Sequence, residues 1–132
     1  MAPWPASEET FELAAMLKPL GEIGSYRFAD WRNGAVVLSH ARCASAVYSR
    51  PGEAYLLLAN LDRESHEVTC VLHAEKLPHP MARVASAKRQ AAIGFVGGPK
   101  EQVADSLDAG QLSGEGVKIT IPGDGAVLVH VR

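Results

Sequence analysis

Beyond Gly24 the chain breaks into short runs of β-branched and aromatic residues separated by Gly, Pro, Asn and Asp, the spacing of an all-β domain. Strands are predicted at Tyr26–Trp31, Ala35–Ser39 after an Asn33-Gly34 turn, Ser45–Arg50, Ala54–Asn60 after Pro51-Gly52, and Glu67–His73. A closing pair follows at Val117–Ile121 and Ala126–Val131. In the first of the pair Val117, Ile119 and Ile121 alternate with Lys118 and Thr120, and in the second Val127, Val129 and Val131 alternate with Leu128 and His130. Pro122-Gly123-Asp124-Gly125 is rich in turn formers, so this pair reads as an antiparallel hairpin. Val68, Cys70 and Leu72 share one face, whereas Tyr55–Ala59 is apolar on both, which marks a central strand covered from each side.

Upstream the periodicity changes. Pro3-Trp4-Pro5 is stiff and extended, a linker remnant over residues 1–6. Ser7 is a good N-cap, Glu8 and Glu9 suit the positive end of a helix dipole, and Leu13, Met16, Leu17 and Leu20 recur at helical spacing before Pro19 and Gly21 close the segment. Pro78–Leu112 carries no clear pattern: Met81–Ala92 has helical propensity and Gly94–Pro99 reads as a loop. The expected fold is an antiparallel Greek-key-type β-sandwich with a short N-terminal helix, one domain over residues 7–132.

Length and composition agree with a single core, since 132 residues is a common domain size and 47% hydrophobic against 21% charged is ordinary for a globular chain. A net charge of -2, without a Lys/Arg run, lacks the basic surface that phosphate neutralisation needs, so nucleic acid is not expected as a partner. The longest apolar run, Tyr55–Ala59, is far short of the roughly 20 residues of a membrane span, and no membrane partner is expected. The N-terminus has neither the basic nor the apolar region of a signal peptide. Cys43 and Cys70 lie in strand-like segments and read as free buried thiols, with a disulfide as the alternative; free thiols lean weakly towards a reducing compartment.

No catalytic set assembles in the sequence, and no cofactor is expected. Gly94–Lys100 resembles a phosphate loop only in its glycines: Pro99 removes a donor, the spacing is wrong, and Glu101 stands where a metal-binding hydroxyl belongs. The five histidines lack ligand spacing; His66 and His73, seven apart, fall on opposite faces of one strand, and no metal site is expected. Asp62, Glu64 and Glu67 cluster as a glycosidase acid pair would, yet they lie in a strand connection that includes its own counter-charge, Arg63. Trp31, Tyr26 and Tyr48 are the candidates for a binding role, because a flat ring covers the apolar face of a sugar at small entropic cost. The same rings serve equally as core anchors or as contacts to a neighbouring domain.

The run Tyr55-Leu-Leu-Leu-Ala-Asn60-Leu61, flanked by Val47–Arg50 and Glu67–Leu72, resembles the C-terminal β-sandwich of amylase-like and other (β/α)8-barrel glycoside hydrolases. Leu17–Ile23 and Tyr26–Trp31 are similar to the passage from barrel to sandwich, and Val117–Val131 to the closing strands. The resemblance covers about two thirds of the chain. It implies a non-catalytic accessory domain whose partner is the catalytic barrel of the same parent chain, and it places the catalytic carboxylates in that barrel. A carbohydrate-binding module with polysaccharide as partner, and an adhesion or scaffold module, are the competing readings.

Overall fold

The computed structural model describes residues 26–94 and 101–132. The expected linker, the helix at Ser7–Leu20, the passage Leu17–Ile23 and most of the Gly94–Lys100 loop lie outside the described residues. Among the described residues nine strands form two antiparallel sheets: β1 Arg27–Asp30, β2 Val36–Leu38, β3 Cys43–Arg50, β4 Glu53–Asn60, β5 His66–Leu72, β6 Ala87–Gly94, β7 Glu101–Leu107, β8 Val117–Ile121 and β9 Gly125–Val131. The large sheet runs β1-β3-β4-β9-β6-β7 and the small one β2-β5-β8. Among the described residues, helix is confined to 3-10 turns at Trp31–Asn33 and Ala74–Lys76 and one short helix, α1, Ala109–Leu112.

One cluster of buried side chains draws on both sheets. Val47, Leu56, Leu58, Val127, Val129 and Val131 come from the large sheet, and Val68, Cys70, Leu72, Ile119 and Ile121 from the small. Leu77, Met81, Val84 and Leu112, from the connections around the second 3-10 turn and α1, belong to the same cluster. The helical propensity of Met81–Ala92 does not prevail. Ala87–Gly94 is a strand paired to β7 and β9, with an irregularity between Arg89 and Ala91. A long pairing partner on each side outweighs the local preference of alanines.

Two hairpins expected from turn chemistry are not hairpins. β8 pairs with β5 and β9 with β4 and β6, so Pro122–Asp124 carries the chain from one sheet to the other. The reason lies in the outward positions. β8 alternates buried and exposed, whereas β9 is buried at every residue and needs cover on both faces, which only the middle of a large sheet provides. Asp124 holds a left-handed φ of 49° and donates its N–H to Asp62 O at 2.7 Å, while a Cβ on Gly123 would collide with the Arg63 carbonyl. Likewise β1 and β2 belong to different sheets, and Gly34 at φ 77° ends a 3-10 turn rather than joining paired strands. β3 and β4, joined through Pro51-Gly52, do pair as a local antiparallel hairpin.

Asn60 explains why an apolar strand ends in asparagine here. It is 3% exposed, and its amide donates to Glu64 O at 2.8 Å and Ile121 O at 3.1 Å while its Oδ1 accepts from Asp62 N at 2.9 Å. Where β4 leaves the large sheet and β8 leaves the small one, ladder partners end. One side chain satisfies the backbone groups of both crossings.

Candidate functional site

The β3–β4 hairpin register places Tyr48 opposite Tyr55, and pairing extends that row outward in both directions. Phe28 on β1 lies opposite Tyr48, His130 on β9 opposite Tyr55, and Lys88 on β6 opposite His130. Because directly opposed residues share a face, Phe28, Tyr48, Tyr55, His130 and Lys88 form one row across five strands. The row lies on the side of the large sheet away from the shared core. The Tyr55 and His130 rings stack at 4.5 Å, and Phe28 meets Tyr48 at 5.3 Å with the planes 51° apart. Exposure falls along it, from 58% at Phe28 through half-buried Tyr48 to 6% at Tyr55 and 7% at His130. Tyr26, Tyr55, Ala126 and Leu128, with Tyr48 and Leu57 packed against them, make a second buried cluster, separate from the core.

A carboxylate sits at the end of this cluster. Glu53 Oε1 accepts from the Tyr26 hydroxyl at 2.8 Å and pairs with the Arg50 guanidinium at 3.1 Å. The same oxygen lies 3.8 Å from His130 Nε2. Arg50 also lies over the Tyr26 ring, 4.9 Å from its centre. Burial, reinforced by the hydrogen bond to Glu53, pushes the Tyr26 phenol up to about 12. Burial alone would raise Glu53, but the hydrogen bonds from Tyr26 and Arg50 outweigh it and hold the carboxyl below its ordinary range. Burial also lowers the proton affinity of His130 against the pull of Glu53, and Nε2 has no hydrogen-bond partner among the described residues.

The three aromatic candidates therefore part company. Tyr26 is buried and tied to Glu53, Tyr48 is half-buried within the row, and Trp31 is 60% exposed. Trp31 is no core anchor: it falls in the 3-10 turn after β1, with Arg32 stacked 5.5 Å from its ring and bound in turn to Asp30. Phe28, Glu53, Tyr55 and His130 were missed by sequence reasoning. The register of the Pro51-Gly52 hairpin carries the signal for Tyr55 opposite Tyr48 and Glu53 opposite Arg50, whereas His130 requires knowing that β9 docks on β4.

Elsewhere the fold joins residues that sequence spacing kept apart. His40 and His66 stack at 3.9 Å, with His66 Nε2 2.9 Å from Asp62 Oδ2, so the counterpart of Asp62 is His66 rather than Arg63. Among the described residues no three His, Cys, Asp or Glu side chains converge as metal ligands would. Cys70 is fully buried, its thiol pushed up to about 12, and Cys43 is half-buried; both are free. A depression of about 670 Å³ beside α1 has an apolar floor of Leu72, Met81 and Val84 under a rim carrying Arg83 and Asp108, away from every candidate named from sequence. No family model matches the chain, and no curated protein matches it.

Proposed function

We propose that this chain is a Greek-key-type β-sandwich serving as the C-terminal accessory domain of a carbohydrate-active enzyme. In this reading it docks on the catalytic (β/α)8 barrel of the same parent chain and supplies no catalytic group. The observation that carries the reading is the aromatic row: an apolar cluster outside the core, running out to exposed Phe28 on β1, with Trp31 exposed in the 3-10 turn that follows that strand. An accessory domain needs such a surface, since faces between domains of one chain cover about 600 to 1,500 Å². Exposed aromatics braced by neighbours, as Trp31 is by Arg32 and Phe28 by Tyr48, are the anchors from which such contacts are built. A sugar platform calls for flat, coplanar rings; the 51° tilt within the row favours docking against protein.

The test begins with the natural reading frame upstream of Met1. If it encodes a barrel, that barrel expressed separately should co-elute with this chain in size-exclusion chromatography. Phe28→Ala and Trp31→Ala should each weaken the complex at least tenfold without lowering the melting temperature of the free domain. A barrel that ignores the chain, or a start codon at Met1 with no upstream frame, removes the reading. Retardation of the chain by starch, xylan or β-glucan in affinity gels, lost in Trp31→Ala, would establish the carbohydrate-binding module in its place.

A further inference from the structure

We infer that His130 is an acid-operated latch on the outer face of the large sheet: proton uptake at its Nε2 opens the cluster that Glu53, Tyr26 and Tyr55 close over it. The latch rests on geometry. His130 is 7% exposed, its ring is covered by Tyr55, and Nε2 is enclosed without a hydrogen-bond partner among the described residues. A neutral imidazole tolerates that enclosure at modest cost, but an imidazolium there needs a counter-charge.

The charged and titratable groups around it decide the direction. From β4 it faces Glu53 and Tyr55, from the end of β3 Arg50, from β6 Lys88, from its own strand Arg132, and from the residue before β1 Tyr26 beyond Glu53. The one carboxylate beside it among the described residues is already engaged by Tyr26 and Arg50, and its nearer oxygen stands 3.8 Å from Nε2, too far for a hydrogen bond. Among the described residues, three cations and one committed anion make the closed cluster a poor host for another positive charge. An open form, in which water solvates the ring, binds the proton better.

The closed form thus takes up a proton at lower pH than the open form, for which the ordinary histidine value of 6.5 applies. Closure is fully favoured above pH 6.5 and weakens as pH falls below it, by up to about tenfold in the opening equilibrium per pH unit for one proton. What opens is the hold on Tyr26 and the apolar face of Tyr55 and Leu128. Only that consequence rests on the docking reading; the latch itself is a property of this chain alone.

The experiment uses the free chain. Opening constants for β9 amides, taken from hydrogen exchange corrected for intrinsic rates, should rise between pH 6.5 and 5 in the wild type and stay flat in His130→Gln. In parallel, NMR titration of the wild-type His130 ring should show no protonation of the closed form at pH 6.5. A ring that titrates at or above 6.5 while native backbone shifts persist overturns the latch, as does a His130→Gln variant with the wild-type pH slope. Should His130→Gln fail to fold, the ring titration decides alone. Neither result bears on whether a barrel docks.

Discussion

β4 and β9 are buried on both faces, but the two faces are built differently. Leu56, Leu58, Val127 and Val129 point into an aliphatic core shared with the small sheet. Tyr55, Leu57, Leu128 and His130 point the other way, into a cluster of tyrosines with a carboxylate and a histidine at one end. The inner face is closed by nonpolar packing, which stabilises without direction and tolerates no void. The outer face is closed by rings, one shared carboxylate oxygen and an unsatisfied nitrogen. Stability lies on the first, and adjustability on the second.

The difference is sharpest in neighbours on one strand. Leu58→Ala, at a residue with no exposure, should cost about 3 kcal/mol in urea denaturation, whereas Leu57→Ala, half-buried on the outer face, should cost about 1 kcal/mol. Equal losses would break the distinction between the faces. Asn60→Ala should follow at about 2 kcal/mol, since it strands two carbonyls and one N–H at the sheet crossings. A loss no greater than a surface substitution would show that water replaces the amide there. Tyr26→Phe should cost about 1 kcal/mol at neutral pH. Its signature is in alkali. With the folded phenol held at about 12 against 10 unfolded, this group's contribution is complete below pH 10 and is lost as pH climbs towards 12. Tyr26→Phe should flatten that part of the alkaline curve, read as melting temperature against pH; an unchanged curve would show that burial and Glu53 do not hold the Tyr26 phenol above its ordinary range.

Strand content outside Pro78–Leu112 was legible in the sequence because alternation and turn residues are local signals: β3 and β4, on either side of Pro51-Gly52, lie within a residue or two of where pattern puts them, whereas β6 and β7 carry no such pattern and were missed. Connectivity was not. The turn residues at Pro122–Gly125 fix a change of direction without saying whether the next strand returns to the same sheet. Leu128, apolar at a position where the outer face of a hairpin would meet solvent, is buried in the middle of the large sheet instead. Trp31 illustrates the same limit, because a lone tryptophan beside a turn suits a core or a surface, and only the 3-10 turn and the Asp30–Arg32 pair settle its exposure. The Glu53 cluster joins residues from 26 to 130, and beyond the Arg50–Glu53 and Tyr48–Tyr55 register across Pro51-Gly52 it had no local signature.

Strand order has a consequence for synthesis. β9 is the last of the nine strands to emerge, yet it lies in the middle of the large sheet, between β4 and β6. Until residue 131 is available, that sheet exists only as two halves, and β4 presents an open edge bearing Tyr55-Leu-Leu-Leu-Ala59. Such an edge pairs readily with other chains. A nascent polypeptide halted inside Gly125–Val131 is therefore an aggregation hazard, and completion of the domain is one late zipping event rather than gradual growth from its first hairpin.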